Sequence, residues 1–449
     1  MKLARSTVVA PVPGSEKLLM VQPLTGQVAL WEGEDARRVA AVDRGAELPA
    51  CLPLVDMREA GFAVSSDEEE ADLRSAAYAE YVEEVLRTPT QLIVVPSFGC
   101  NLKCTYCYQE VFDPTGGGLI AADTIDALFR YVDRFHGEDD PRPYLTLFGG
   151  EPLRDTPTHK DRVERILARA RARGIGVAVV TNGYDLEAYV PLLSAGGIRE
   201  VQVTLDGPEP VQDLRRPHAS GAGTFQRAER GVDQLLRNGV PVNLRVVADR
   251  DNLPSLPALA RVAQEHGWLD LPGSLFKTQV GRNYELFGCA SGQRRDQLYD
   301  RVELWADYVA LAEKDPVLRK FHSPRFHGIR HLADTGEFPV ANFDACPAAK
   351  KEWAFAPDGG LYGCTATVGN PAYRLGTYAP EVVRDETAIG RWRERSVFTI
   401  EKCKDCSVAA VCGGGCGAIA ANRTGDIRGA DCRPVAELFG IGARFYGLG

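Results

Sequence analysis

No stretch of this chain is apolar for long enough to cross a bilayer. Its first residues, Met-Lys-Leu-Ala-Arg-Ser-Thr-Val-Val-Ala-Pro-Val-Pro, include basic side chains, but the apolar run is too short for a signal peptide. These absences imply a cytoplasmic protein with no membrane partner. Positive charge is not in excess either. There are 52 Lys and Arg against 61 Asp and Glu, a formal net charge of −9, with only short basic clusters such as Arg215–Arg216 and Lys350–Lys351. A general nucleic-acid-binding surface is therefore excluded. There is no internal repeat and no low-complexity tract. An HExxH arrangement is missing as well. His327 and His331 stand four apart, as on one helix face, but without the Glu, so they read as a solvated face.

Cysteine, in contrast, is plentiful. The 449 residues, 45% hydrophobic and 25% charged, suit a soluble globular protein of two or three domains, and twelve of them are Cys. In a reducing compartment that number points to metal sites rather than disulfides. Ten of the twelve fall into two groups, and only Cys51 and Cys289 stand apart.

Along the chain, residues 1–88 read as a small α+β unit. Leu18–Gln22 and Gln27–Trp31 flank Pro23-Leu24-Thr25-Gly26 as a β-hairpin. Glu34–Val42 reads as a short helix, Gly61–Val64 as a strand, and Asp67–Arg87 as a charged helical connector. Residues 89–290 then alternate strand and helix. The expected strands are Leu92–Ser97, Tyr144–Phe148, Gly176–Thr181, Glu200–Leu205, Val242–Ala248 and Ser274–Gln279. Several are short and β-branched, as buried parallel strands are. Six βα units in series imply right-handed crossovers and a curved parallel sheet, with chemistry at the carboxyl ends of the strands. Residues 291–342 read as a helical bridge, and residues 343–449 hold seven of the cysteines.

The first cysteine group is Cys100-Asn-Leu-Lys-Cys104-Thr-Tyr-Cys107. Four thiolates saturate a [4Fe–4S] cluster, and three leave one iron open. The spacing alone also allows a zinc knuckle or buried thiols. With Tyr106 before the third Cys, the motif resembles that of the radical S-adenosylmethionine (SAM) superfamily. The resemblance implies an α/β fold with a partial (β/α)6 barrel. It also implies a [4Fe–4S] cluster whose open iron chelates SAM, and a 5′-deoxyadenosyl radical that takes hydrogen from substrate. An electron donor such as a flavodoxin or ferredoxin is implied too.

Gly149-Gly150-Glu151-Pro152 follows the second strand and is a hallmark of the same superfamily. Two glycines let a backbone approach a ligand closely, and the resemblance sets them and Glu151 against the SAM ammonium. It places Asn182 in Thr181-Asn182-Gly183, and Thr204 and Arg216 after the fourth strand, against the ribose and carboxylate. Arg216 suits a carboxylate because guanidinium pairs with it bidentately. Tyr106 is expected near the adenine. Ordinary turns explain Asn-Gly and Asp-Gly-Pro equally well, and Tyr106 can equally be a core aromatic.

The second group runs Cys346, Cys364, Cys403, Cys406, Cys412, Cys416 and Cys432, with Gly359 five residues before Cys364. It resembles the seven-cysteine SPASM domain, which carries two auxiliary [4Fe–4S] clusters on enzymes that modify peptides and proteins. Two structural zinc sites are the competing reading. Trp353–Pro357 and Leu361–Cys364 read as a hairpin. The family pattern assigns Cys403, Cys406, Cys412 and Cys432 to an outer cluster and Cys346, Cys364 and Cys416 to an inner one. One ligand of the inner cluster is then lacking, and Cys289 is a candidate for it.

The resemblance therefore implies a radical SAM/SPASM enzyme that cross-links or oxidises a precursor peptide or protein, as in the maturation of ribosomal peptide natural products. Residues 1–88 resemble winged-helix-like leader-recognition domains, with a structural cap as the alternative. Anaerobic sulfatase maturation is a second reading. Enzymes of that family carry an Asp directly after the second inner-cluster Cys, where this chain has Thr365. A zinc-stabilised binding or regulatory protein is the non-enzymatic reading.

Overall fold

A computed structural model describes residues 1–109, 116, 118–283 and 295–448. The first strand, β1 (Lys2–Leu3), pairs antiparallel with β5 (Ala63–Val64). Between them, β2 (Val8–Pro11), β3 (Leu18–Gln22) and β4 (Gln27–Trp31) form an antiparallel sheet in that order. The hairpin is the expected one, while β2 was not foreseen. Helix Asp67–Arg87 follows, with the Ser66 side chain accepting from the amide of Glu69. Its first turn carries Asp67, Glu68, Glu69 and Glu70, which suits the positive end of the helix dipole. Glu70 is more than a dipole partner. It is only 4% exposed and accepts from both the amide and hydroxyl of Ser6, each at 2.9 Å.

The βα repeat gives β6 (Gln91–Val94), β7 (Tyr144–Leu147), β8 (Val177–Thr181), β9 (Ile198–Thr204), β10 (Val242–Ala248) and β11 (Phe276–Arg282). Each is parallel to the next, in chain order. The β6 side is extended by β12 (Glu352–Phe355), parallel to β6. The antiparallel strands β13 (Gly360–Tyr362), β14 (Gly376–Thr377) and β15 (Val383–Arg384) follow. The ten-stranded sheet ends at β11 and β15 and so stays open, an α/β fold with the expected partial barrel.

Strands β6 and β7 are buried along nearly their whole length, which explains their apolar runs, while β9 and β11 carry exposed polar residues such as Arg199 and Lys277. Leu92, Val94, Leu145, Leu147, Val177 and Val179 belong to the main core, with Ile125, Leu128 and Phe129 of helix Ala122–His136. On the other face, Ile93 and Val95 pack with Phe98, Ala354, Tyr362 and Val368.

The last helix, Val435–Tyr446, closes the molecule against its first sheet. Val8, Ala10, Leu19 and Val21 share the main core with Val435, Leu438 and Phe439. A Cβ on Gly440 would meet the Pro11 carbonyl oxygen at 2.1 Å, so only glycine allows this approach. His327 and His331 do not share a helix face. His327 adopts a left-handed φ of 52°, and the helix begins at Ile329. The positive φ of 118° at Gly328 is what separates them.

The C-terminal cysteines are carried on loops, and one side chain organises these. Arg395 is 0% exposed. Its guanidinium donates to the carbonyls of Gly414 (2.7 Å), Gly415 (2.9 Å), Ile427 (2.7 Å) and Gly429 (3.1 Å). Gly413, Gly414 and Gly415 have φ of 60°, 74° and 70°, a run of left-handed residues between Cys412 and Cys416. A side chain on Gly415 would collide with the Asp431 carbonyl at 2.2 Å. Arg395→Met leaves four carbonyls without this donor, and should destabilise the chain by at least roughly 1–3 kcal/mol, the cost of leaving a buried acceptor unsatisfied. Chemical denaturation measures it, and an unchanged midpoint would refute the role given to Arg395.

Candidate functional site

The loop after β6 carries the first three cysteines, and the backbone after β7 holds it in place. The amide of Gly150 donates to the Ser97 carbonyl, and that of Glu151 to the Gly99 carbonyl, each at 3.0 Å. A Cβ on Gly149 would lie 2.6 Å from the Ser97 oxygen, and one on Gly150 would lie 2.2 Å from the Phe98 oxygen. The close approach that these two glycines permit is thus to the cysteine loop itself. The sequence signalled the approach but not its partner.

Glu151 is 1% exposed. Its carboxylate accepts from the Thr181 hydroxyl (2.7 Å), the Asn182 amide (2.6 Å) and the Leu153 amide (2.8 Å). It therefore ties the end of β7 to the end of β8. Burial pushes its carboxyl up to about 7, against the pull of those three bonds. Asn182 in turn donates its side-chain amide to Asn101 at 2.8 Å and lies 3.7 Å from the Cys100 sulfur. Cys100, Gly149, Gly150, Glu151 and Asn182 are thus brought together at the ends of β6, β7 and β8.

Cys104 and Cys107 lie toward the residues after β9. The amides of Lys103 and Thr105 donate to the carbonyls of Pro217 and Arg215. Tyr106 donates its hydroxyl to Asp206 at 2.6 Å and accepts from Arg216 at 2.6 Å. Arg215 donates to both oxygens of Asp249 at 2.9 Å and reaches Asp206 at 3.4 Å. Thr204, the last residue of β9, is buried two residues before Asp206. The Tyr106 hydroxyl is thus held in a polar network that anchors the loop. Arg215, Asp206 and Asp249 belong to that network and were not singled out from sequence. Their only signal was a buried charge balance that no motif encodes. The Arg216 guanidinium is buried beside Cys104, and its Nε has no partner among the described residues.

The donor chemistry fits a group that binds three thiolates. The Cys100 residue is exposed, yet partial withdrawal of its thiol from water raises it, and Glu151 raises it further, with smaller contributions from Cys104 and Cys107. Burial also raises Cys104, which Arg216 partly offsets. Thiols raised in this way are inert at neutral pH unless a cation takes them as thiolates. Among the described residues no three His, Cys, Asp or Glu close on a single metal ion. A four-iron cube spreads its thiolates more widely than one ion does.

The seven C-terminal cysteines fall into two electrostatic neighbourhoods. The Cys403 thiol, pushed up to about 11 by burial, is raised further by Cys412, Cys406 and Cys432. Cys364 is raised by burial and then by Glu352, Cys346 and Cys416. Arg395 lies between the two sets, acting on Cys346 of one and Cys403 of the other. The Tyr108 hydroxyl donates to the Thr365 carbonyl at 3.3 Å, which links the first cysteine loop to the residue after Cys364. Cys51 is exposed and free, and Cys289 lies outside the described residues.

Known proteins match this arrangement. Residues 94–261 match the Radical SAM superfamily, a span that includes Cys100–Cys107, Gly149–Glu151, Asn182, Thr204 and Arg216. A cysteine-type anaerobic sulfatase-maturating enzyme of Clostridium perfringens is 22% identical over 344 residues, 73% of this chain and 89% of that protein. The structure of native anSMEcpe with bound AdoMet and Cp18Cys peptide superposes with a TM-score of 0.60 at 20% identity, covering 80% of this chain and 97% of that one. Streptococcus suis SuiB bound to S-adenosylmethionine gives a TM-score of 0.55 at 15% identity, covering 97% of this chain and 100% of its own. With the precursor peptide SuiA bound, SuiB gives 0.54. No described helix is long and apolar enough to cross a membrane. Residues 94–261 are a radical SAM domain, set in an open α/β barrel of the kind these peptide-bound enzymes share.

Proposed function

We propose that this chain is a radical SAM enzyme with two auxiliary clusters, and that it removes hydrogen from a peptide or protein substrate to cross-link or oxidise it. The observation that carries the reading is the tether between two cysteine sites. The Cys100–Cys107 loop is clamped onto Gly150 and Glu151, and Tyr108 joins it to the residue after Cys364. Cys100, Cys104 and Cys107 would hold the SAM-binding cluster. The carbonyls of Gly149 and Gly150 would accept the SAM ammonium, with Glu151 positioning them. Arg216, through its free Nε, would meet the carboxylate, and Asn182, Thr204 and Tyr106 would line the remainder. When bound, the cluster and SAM supply a one-electron cleavage that yields the hydrogen-abstracting 5′-deoxyadenosyl radical. The chain's own groups bind, orient and exclude water. The outer set, Cys403, Cys406, Cys412 and Cys432, and the inner set, Cys346, Cys364 and Cys416, would take the electron that substrate oxidation releases.

The similarity to the Clostridium perfringens enzyme favours formylglycine formation as a second reading. Thr365, in the place of that family's Asp, speaks against it.

Recruitment of the peptide is assigned to β4. Among the described residues it is hydrogen-bonded on one side only, to β3, and Leu30 on it is 40% exposed. An extended leader can add there as a further strand, gaining main-chain bonds and side-chain pockets. The other side of this unit packs into the main core, so residues 1–88 also serve as a cap.

Anaerobically reconstituted protein should bind about 12 irons per chain, as three four-iron clusters require. Changing Cys100, Cys104 and Cys107 to Ala should remove about a third of that iron and abolish release of 5′-deoxyadenosine. Stoichiometric zinc with little iron would refute the reading. Glu151→Ala frees the amides of Leu153 and Asn182, and should weaken SAM binding about tenfold or more, equivalent to 1.4 kcal/mol, while iron content holds. Unchanged affinity in equilibrium binding would remove Glu151 from the pocket. Leu30→Asp should weaken precursor-peptide binding while substrate-free SAM cleavage continues. Wild-type processing of a full-length precursor by that variant would leave β4 with a structural role alone.

A further inference from the structure

The inner cysteine set has three thiols for a four-iron cluster, and the structure holds one more donor beside them. Glu352 is the first residue of β12. Its amide donates to the Pro347 carbonyl and its own carbonyl accepts from Ala349, each at 2.9 Å, so its backbone folds onto the turn just after Cys346. That turn is tight: Ala349 is held at a left-handed φ of 56°. The Glu352 side chain reaches the other way, accepting from the Thr365 amide at 3.2 Å, next to Cys364. A single residue thus spans the two chain segments that carry Cys346 and Cys364.

We propose that Glu352 is the fourth protein ligand of the inner auxiliary cluster, binding its remaining iron through a carboxylate oxygen. The inference rests on the cluster reading above and goes beyond it by filling a position that the cysteine pattern leaves open.

Charge supports the geometry. Among the described residues, no Lys, Arg or His forms an ion pair with Glu352, and its side chain accepts from the neutral amide of Thr365. Withdrawal from water pushes its carboxyl up to about 7. A carboxylate so placed is costly unless a cation compensates it. Its carboxylate lies against the amide of the residue that follows Cys364, and its backbone lies against the turn that follows Cys346. A cluster with three thiolates and one carboxylate has the same net charge as one with four thiolates, so the site remains electrostatically equivalent. Coordination takes the carboxyl in its ionised form and releases its proton. A harder oxygen donor changes the reduction potential, one of the properties that ligands and net charge set.

The test uses the full-length Cys100→Ala, Cys104→Ala, Cys107→Ala protein, which lacks the open iron of the SAM site, reconstituted with iron and sulfide. The probe is 13C-cyanide, which binds an open cluster iron and is read by hyperfine coupling in electron paramagnetic resonance of the reduced protein. With Glu352 present, no cyanide coupling is expected. Glu352→Gln retains an acceptor for the Thr365 amide but not the charge. It should change the spectrum of one cluster only and admit cyanide to it. If the variant instead loses about four irons, Glu352→Cys should restore them as an all-thiolate cluster. Failure of that rescue makes Glu352 a structural residue and overturns the assignment. So does cyanide coupling with Glu352 intact, or a Glu352→Gln spectrum identical to that of its parent. Protein that takes up no iron at all refutes the cluster reading itself, and with it this proposal.

Discussion

Two carbonyl groups, those of Ser97 and Gly99, accept the amides of Gly150 and Glu151, and no side chain fits between the two segments. The candidate site depends on this contact. It fixes the Cys100 loop over the carboxyl ends of β6 and β7, and it buries Glu151. The Glu151 carboxylate then has to find its bonds at the end of β8, in Thr181 and Asn182. Asn182 in turn reaches back to Asn101 in the cysteine loop. Three strand ends are thereby joined in a closed circuit of hydrogen bonds. Each buried polar group in it is satisfied by another member.

The C-terminal region solves a different problem. Its cysteines lie on irregular chain with little regular secondary structure to hold it. A buried guanidinium does the holding, and four carbonyl dipoles rather than a carboxylate balance its charge. Asp431, fully buried, plays the converse part. It accepts from the Cys416 amide at 3.2 Å and from Arg301 at 3.0 Å, which fastens helix Arg301–Lys314 to the same loops. The arginine and the aspartate hold the thiol-bearing loops together with a small apolar cluster that includes Phe343, Val397, Ile400, Cys403 and Ala410.

What the sequence made legible follows from the range of each signal. Strands β6 to β8 could be read because they are short and largely apolar, and β9 to β11 because apolar residues recur along them between the helices. The Asp67–Arg87 helix and the Leu18–Trp31 hairpin could be read because caps and turns are local. The cysteine groups and Gly149-Gly150-Glu151 could be read because their chemistry needs fixed spacing. Arg395 could not, because Arg391-Trp-Arg393-Glu-Arg395 looks like a solvated helix face until the loops that enclose it are known. Asp206 resembled part of a turn, although Arg215 and Tyr106 both converge on it. Glu352 looked like an ordinary polar residue at the start of a hairpin strand. In each case the partner lies outside the element that carries the residue, and no local pattern marks it.

The clasp between Gly440 and Pro11 carries a consequence for biosynthesis. The apolar residues of β2 (Val8–Pro11) and β3 (Leu18–Gln22) are made long before the helix that covers them, Val435–Tyr446. At roughly 5–20 residues per second, the separation corresponds to a wait on the order of 20–90 s. During that time the nascent sheet exposes Val8, Ala10, Leu19 and Val21 with nothing to bury them. The apolar face of this sheet can be covered only after the Val435–Tyr446 helix has been made. The interval before it is when a chaperone would have most to bind.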